Sequence, residues 1–234
     1  MKINSTQNTY NRSTNFGAIP VADIKVKNNK TGEELQSVYK LYKLEESDRD
    51  FLEKLYETVD VRKMYPNLTE NEHFIWDGSL KRAIETSLDE RRTAYLETCD
   101  GIPCGIMNFT KEPLKKKNSY ILDRIATFPI EKGKRVKYAG QILYHELYTQ
   151  FLNDNKNNIF VVSPRHSPFS PIANYVRMGF NLMGGTEATE NLRITKESVQ
   201  KIHKKQQEFL TFDRFEKSES VDLDEHADLS VFEQ

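Results

Sequence analysis

A chain of 234 residues, 37% hydrophobic and 29% charged with a formal net charge of -1, can bury a full core. The balance excludes a molecule that binds nucleic acid through its overall charge. Cys99 and Cys104 are the only cysteines, which excludes a disulfide framework and a cysteine metal set. They read as two small buried residues in a reducing compartment. No run approaches membrane-spanning length and the amino terminus lacks an apolar signal core, so the expectation is a soluble, cytoplasmic protein with no membrane partner.

Nine of the first twenty residues are Asn, Ser or Thr. Residues 1–34 therefore read as a flexible arm that docks, if at all, through Ile24 and Val26. From Val38, a β-prone run with Leu41 and Leu44 leads into Glu46-Ser47-Asp48, a helix start. Phe51, Leu52, Leu55, Tyr56 and Val59 then recur at helical spacing, and Leu80, Ile84 and Leu88 mark a second amphipathic helix. Ala94 to Thr98 and Ile102 to Phe109 flank Asp100-Gly101, a two-residue hairpin turn. Tyr120 to Phe128 reads as a third strand after a lysine-rich loop. A helix over 135–153 carries Val136, Leu143, Leu147 and Phe151 on one face, with His145 as a polar surface residue. Ile159-Phe160-Val161-Val162 reads as a strand buried on both faces. A proline-punctuated loop precedes a short helix ending at Gly179-Phe180. Residues 186–215 form a carboxyl-terminal extension expected to be helical, with a charged helix from about Lys196 to Phe209. Residues 216–234, seven acids against Lys217, are expected to be a disordered tail. This order of elements predicts an α/β fold with a mixed, partly antiparallel sheet flanked by helices.

The chemistry centres on "RVKYAG", residues 135–140, at a predicted helix start. A helix amino terminus offers unpaired N–H groups and a positive dipole end, and small residues let an anion approach the backbone. Ala139 and Gly140 supply the small residues, with Lys134, Arg135 and Lys137 around them. The Lys115-Lys116-Lys117 run could add charge for a more distal phosphate. On composition alone, a solvated surface turn fits these residues as well.

Residues 36–185 resemble the GNAT superfamily of acyl-CoA-dependent N-acyltransferases. The family signature is a strand, then Q/R-x-x-G-x-G/A opening a helix, then a short apolar strand and Tyr-x-x-x-Gly-Phe. Here these are "ILDRIATFP", "RVKYAG", "IFVV" and "YVRMGF". The resemblance implies a core over 35–185 and acetyl-CoA, or another acyl-CoA, as co-substrate, with no metal. Backbone groups of Ile125, Ala126 and Thr127 would align the pantetheine arm. The turn of Arg135, Val136, Lys137, Tyr138, Ala139 and Gly140 would hold the pyrophosphate. Tyr175 matches the family's frequent general acid. Asp123, expected on the face of Ile125 by alternation, and His166 are the candidate bases. For Asp123 a structural ion pair with a nearby cation such as Arg124 is the stronger reading.

Tyr138 replaces the first Gly of the signature. Either its backbone has ordinary dihedrals or the pyrophosphate path is crowded. The resemblance implies transfer of an acetyl group to an amine on a small molecule or a protein. Two further readings are a GNAT-like binding module without catalysis and an N-acyl amino acid synthase-like enzyme. The latter would use an acyl carrier protein docked on the basic stretch 111–137, which holds nine basic residues against three acidic ones. No nucleic-acid reading motif is present. The expected state is a monomer or a homodimer.

Overall fold

A computed structural model describes residues 17–130, 136–165 and 171–232. Among these, nine strands form one sheet in the order β7-β8-β6-β5-β4-β3-β2-β1-β9. The strands are β1 (Ile19–Val26), β2 (Tyr39–Lys43), β3 (Arg92–Cys99), β4 (Ile102–Thr110), β5 (Ser119–Thr127), β6 (Asn158–Pro164), β7 (Asn181–Gly185), β8 (Thr189–Thr195) and β9 (Leu210–Arg214). Helices are α1 (Arg49–Thr58), α2 (Val61–Met64), α3 (Glu70–Ser87), α4 (Ala139–Asn153), α5 (Pro171–Arg177), α6 (Lys196–Gln206) and α7 (Leu223–His226). The mixed α/β sheet predicted from element order is present. Only β5 and β6 run parallel; every other pairing is antiparallel.

Local chemistry places these elements. Asp100 and Gly101 both take positive φ (53° and 81°), the backbone that a two-residue hairpin between β3 and β4 requires. Asp100 Oδ1 also accepts from the Val38 N–H at 2.7 Å, which aligns β2 beside the hairpin. Thr69 and Glu72 form a capping box at the start of α3, satisfying two otherwise orphaned donors. Asp60 caps α2 and Thr195 caps α6.

The two faces of the sheet carry separate cores. α1, α2 and α3 cover one face with Leu52, Leu55, Leu80, Leu96, Ile106 and Phe128. α4 covers the other, where Tyr95, Phe109, Tyr120 and Phe151 stack in a row with ring centroids 6.1, 5.2 and 5.7 Å apart. Such pairs add to the stabilisation from burial alone.

Several expectations are corrected. Ile19–Val26, expected within a flexible arm, is a full strand between β2 and β9, with Ile24 and Val26 in the core. Polar composition upstream masked its alternating apolar residues. The extension 186–215 is not only helical: it contains β8, α6 and β9. The tail expected to be disordered packs along residues 216–232 through Leu223, Ala227 and Phe232. Phe232 meets Phe128 edge-on, and Lys54 pairs with Asp224 at 2.7 Å. Those spaced apolar residues outweigh the acidic charge that suggested disorder. β6 is buried on one face only, since Val162 is exposed where no helix covers that side.

His145 is also not on the surface. α6 crosses behind α4 and leads to β9, so α4 is covered by the sheet on one side and by the extension on the other. His145 is sandwiched between His203 of α6 and Phe212 of β9, with ring centroids 4.3 and 4.2 Å away. Burial, then the charges of His203 and Arg214, push its pKa down to about 3. Neither ring nitrogen has a hydrogen-bond partner, and the adjacent carboxylate, Glu146, is held by Arg214. The folded protein therefore binds fewer protons here than the unfolded chain, whose His titrates near 6.5. Stability from this site is whole above about 6.5 and is lost as the pH falls towards about 3. His145→Phe, which keeps the stack, should reduce the loss of stability between pH 7 and pH 4 in denaturant melts. Identical acid dependence in both proteins would contradict this.

Candidate active site

The site is built where β5 and β6 part. These parallel strands pair only at Ser119↔Asn158, Tyr120↔Ile159 and Ile121↔Phe160. Beyond that point β5 stays with β4 and β6 stays with β8, so a wedge opens along Leu122 to Thr127. The β5 edge facing the wedge has backbone groups that no strand takes up, a ready strip for an extended ligand.

α4 closes the wide end of this wedge. It packs on β4 and β5, close enough at Gly105 that an added Cβ would lie 3.0 Å from the Leu143 side chain. Its first N–H groups, on Ala139 and Gly140, have no helical carbonyl to bond. Among the described residues a Cβ at Gly140 would meet only Thr127 Cγ2, at 3.8 Å, so they leave the backbone there open to an approaching group. Lys137 is exposed beside it. An anion such as a pyrophosphate fits this turn on geometry and on charge. Arg135 lies outside the described residues; Val136 packs against the core below the turn.

Tyr138 resolves differently from either expectation. Its backbone is left-handed (φ 64°, ψ -7°), the conformation a glycine would adopt without penalty. For a tyrosine this costs about 1–2 kcal/mol. The side chain leaves the turn towards Asn29 and Phe209, so the first turn of α4 stays clear.

At the wedge itself three aromatic side chains converge. Tyr144 of α4 and Tyr175 of α5 both contact the Phe180 ring, with centroids 6.4 and 5.7 Å away. Tyr148 stacks on Tyr144 and donates to the Met178 carbonyl at 2.6 Å. The hydroxyls of Tyr144 and Tyr175 bond to no other described residue. Burial pushes the Tyr175 phenol up to about 12, and the Arg124 guanidinium works in the opposite direction. Tyr144 is also raised, by burial and then by Tyr175. Tyr175 is thus a protonated donor in a half-buried place, with a cation that eases its ionisation.

Asp123 does not join this group. β5 bulges there: Asn108 pairs with Arg124 and Phe109 with Leu122, leaving Asp123 as the extra residue. The bulge breaks the alternation that placed Asp123 with Ile125. Asp123 accepts from Thr110 Oγ1 at 2.8 Å and pairs with Arg92 at 3.5 Å on the α3 side. Its partner is Arg92; Arg124 instead donates to the Asp123 carbonyl at 2.6 Å. Ile125 packs on the α4 side and Ala126 on the α3 side. His166 lies outside the described residues.

The lysine run cannot serve the turn. Lys111 bonds Gln150 and Asp154, and Lys116 lies over Phe160, so this loop sits at the carboxyl end of α4. The 15 residues of α4 separate that end from the turn by about 22 Å. Among the described basic residues of the stretch, Lys111 and Lys116 therefore lie at the end of α4 opposite Lys137.

Sequence reasoning missed Tyr144, although it follows Gly140 by four residues and so shares its helical face. It also missed Glu97, whose carboxyl is fully buried with no hydrogen-bond partner. Burial raises its pKa well above the usual range, offset only in part by the Cys104 thiol. Both cysteines are buried as expected. Surface hollows bordered by Tyr56, Asp60, His73 and Asp77, and by Asp224 to Leu229, include no residue of the wedge. Among the described residues no cluster of three metal-ligating side chains occurs, and no helix is long and apolar enough to cross a membrane.

The sequence matches no protein-family model and no curated protein. The fold does find relatives among solved structures. The GNAT domain of S. lividans PAT matches with a TM-score of 0.50 at 10% identity, over 75% of this chain and 96% of that one. FdhC, a nucleotide-linked sugar GNAT, matches with a TM-score of 0.50 at 14% identity, over 74% of this chain and 95% of that one. The fold is that of the GNAT superfamily. β9 extends the sheet at the far edge beside β1.

Proposed function

We propose that the protein is an N-acyltransferase that moves an acetyl group from acetyl-CoA to a primary amine of an acceptor. The observation that carries this reading is the wedge between β5 and β6, set beside an open helix amino terminus and a half-buried, protonated tyrosine. The first N–H groups of α4, at Ala139 and Gly140, with Lys137, would bind the pyrophosphate. The free edge of β5 at Ile125, Ala126 and Thr127 would accept and donate hydrogen bonds along the pantetheine arm. When bound, acyl-CoA supplies an activated thioester.

Tyr175 then acts as the general acid, giving its phenolic proton to the sulfur as the C–S bond breaks. Burial keeps that proton in place until then, and Arg124 stabilises the tyrosinate left behind. Asp123 is engaged by Arg92 and Thr110, so proton removal from the amine is assigned to water. Free acyl-CoA, not an acyl carrier protein, is the proposed donor, because Lys111 and Lys116 lie at the end of α4 opposite Lys137.

Acetyl-CoA should raise the melting temperature, since a ligand that binds only the native state stabilises it. A panel of primary amines should release free thiol from acetyl-CoA in the presence of the protein. No thermal shift at millimolar acetyl-CoA would remove the reading. Binding without turnover of any amine would favour a non-catalytic GNAT-like module.

A further inference from the structure

We propose that Tyr138 is a positioning residue that holds the phosphate turn, and that through it two segments outside the common core control the affinity for acyl-CoA. The inference rests on the acyl-CoA reading above and names what sets the geometry of that site.

A left-handed tyrosine persists only where its surroundings over-determine it. Here they do, through contacts from three separate elements. The Tyr138 hydroxyl accepts from the Asn29 backbone N–H at 3.2 Å and donates to Asn29 Oδ1 at 3.2 Å, in the loop between β1 and β2. Its ring lies 5.6 Å from that of Phe209, in the turn between α6 and β9. Tyr39, at the start of β2, donates to the carbonyl of Lys137 at 3.0 Å. The two gripping segments are themselves tied, because the Lys27 N–H donates to the Phe209 carbonyl at 2.8 Å. Gln206 of α6 adds a bond to the Gln141 carbonyl in the first turn of the helix, at 3.3 Å.

The dihedrals at residue 138 orient the peptide groups that follow it, and those carry the Ala139 and Gly140 N–H donors. With glycine at this position the turn reaches the left-handed form by itself. With tyrosine it needs the clamp. Asn29 and Phe209 thus act on the anion site without touching it. By linkage, a ligand that requires this turn also favours docking of the loop and of the α6–β9 segment.

Calorimetric titration of CoA into the full chain and into Tyr138→Ala, Tyr138→Gly and Asn29→Ala variants tests the proposal. Tyr138→Ala should weaken binding about tenfold, because alanine carries the left-handed penalty without the clamp. Tyr138→Gly should recover most of that loss, since glycine has no such penalty. Asn29→Ala, an exposed loop change outside the turn, should weaken binding about threefold to fivefold through loss of the Oδ1 contact to the Tyr138 hydroxyl. A merely structural role would lower thermal stability, leave CoA affinity of the folded variants unchanged and rank alanine with glycine. Wild-type affinity in Tyr138→Ala and Asn29→Ala would overturn the proposal while the acyl-CoA reading stands. Failure of the wild-type chain to bind CoA would overturn both.

Discussion

Tyr175→Phe is expected to lower kcat for acyl transfer by about 10²–10³-fold, the range for loss of a general acid. The KM for acyl-CoA should stay unchanged, because the phenol acts on the departing sulfur and not on the pyrophosphate or the pantetheine arm. The substitution is also mild structurally. The hydroxyl bonds to no described residue, and a phenylalanine ring keeps the contact with Phe180. Lost turnover would therefore report lost chemistry, not a lost fold. Tyr144→Phe is the matching control, since Tyr144 meets the same Phe180 ring from α4. Burial and then Tyr175 and Tyr148 raise its phenol, whereas at Tyr175 the Arg124 guanidinium works in the opposite direction, so Tyr144 is the poorer donor. If Tyr144→Phe abolishes transfer and Tyr175→Phe does not, the assignment of the acid is wrong.

The second large effect is on stability. Arg214→Ala should destabilise the protein by about 3 kcal/mol, as expected when one partner of a buried ion pair is removed. Glu146 is fully buried inside α4, and Arg214 reaches it from β9 at 2.6 Å. Without the guanidinium, only the Gln150 amide and the nearby Tyr95 hydroxyl remain to oppose the buried charge. The melting temperature should fall by roughly 6–12 °C for a chain of this size. Arg214→Ala combined with Glu146→Leu should recover much of the loss, because the uncompensated charge is then gone. A loss below about 1 kcal/mol for Arg214→Ala would mean that the pair behaves as an exposed one. The same pair, with the His145 stack, fastens the extension to the helix whose amino end is the proposed anion site.

The parts of this fold that were legible in the sequence are those with local signals. Asp100-Gly101 specifies its hairpin through two positive φ values that few residue pairs accept. The run from Tyr120, the α4 pattern and the Tyr175 to Phe180 segment each carry their own periodicity or turn chemistry. What was not legible depends on partners distant in the chain. His145 looks polar and exposed until α6 and β9, more than fifty residues later, close over it. Residues 19–26 follow a polar stretch and residues 216–232 are acidic, and only their apolar side chains show that they pack. Asp123 was placed on the wrong face because alternation holds only while a strand is regular, and β5 is bulged at that residue. Tyr138 was the sharpest case. Its identity suggested ordinary dihedrals or a crowded site, whereas Asn29 and Phe209 hold it in the backbone form of the glycine it replaces.

The most direct test of the account is CoA binding to the wild-type chain and to Gly140→Asp, measured by titration calorimetry. A side chain at Gly140 has room, and an acidic residue in the first turn of a helix is favourable, so the variant should fold with undiminished stability. Its carboxylate would stand where the pyrophosphate is proposed to bind. The account predicts that the wild-type chain binds CoA and that Gly140→Asp does not. Equal binding by both proteins, or none by the wild-type chain, would contradict it.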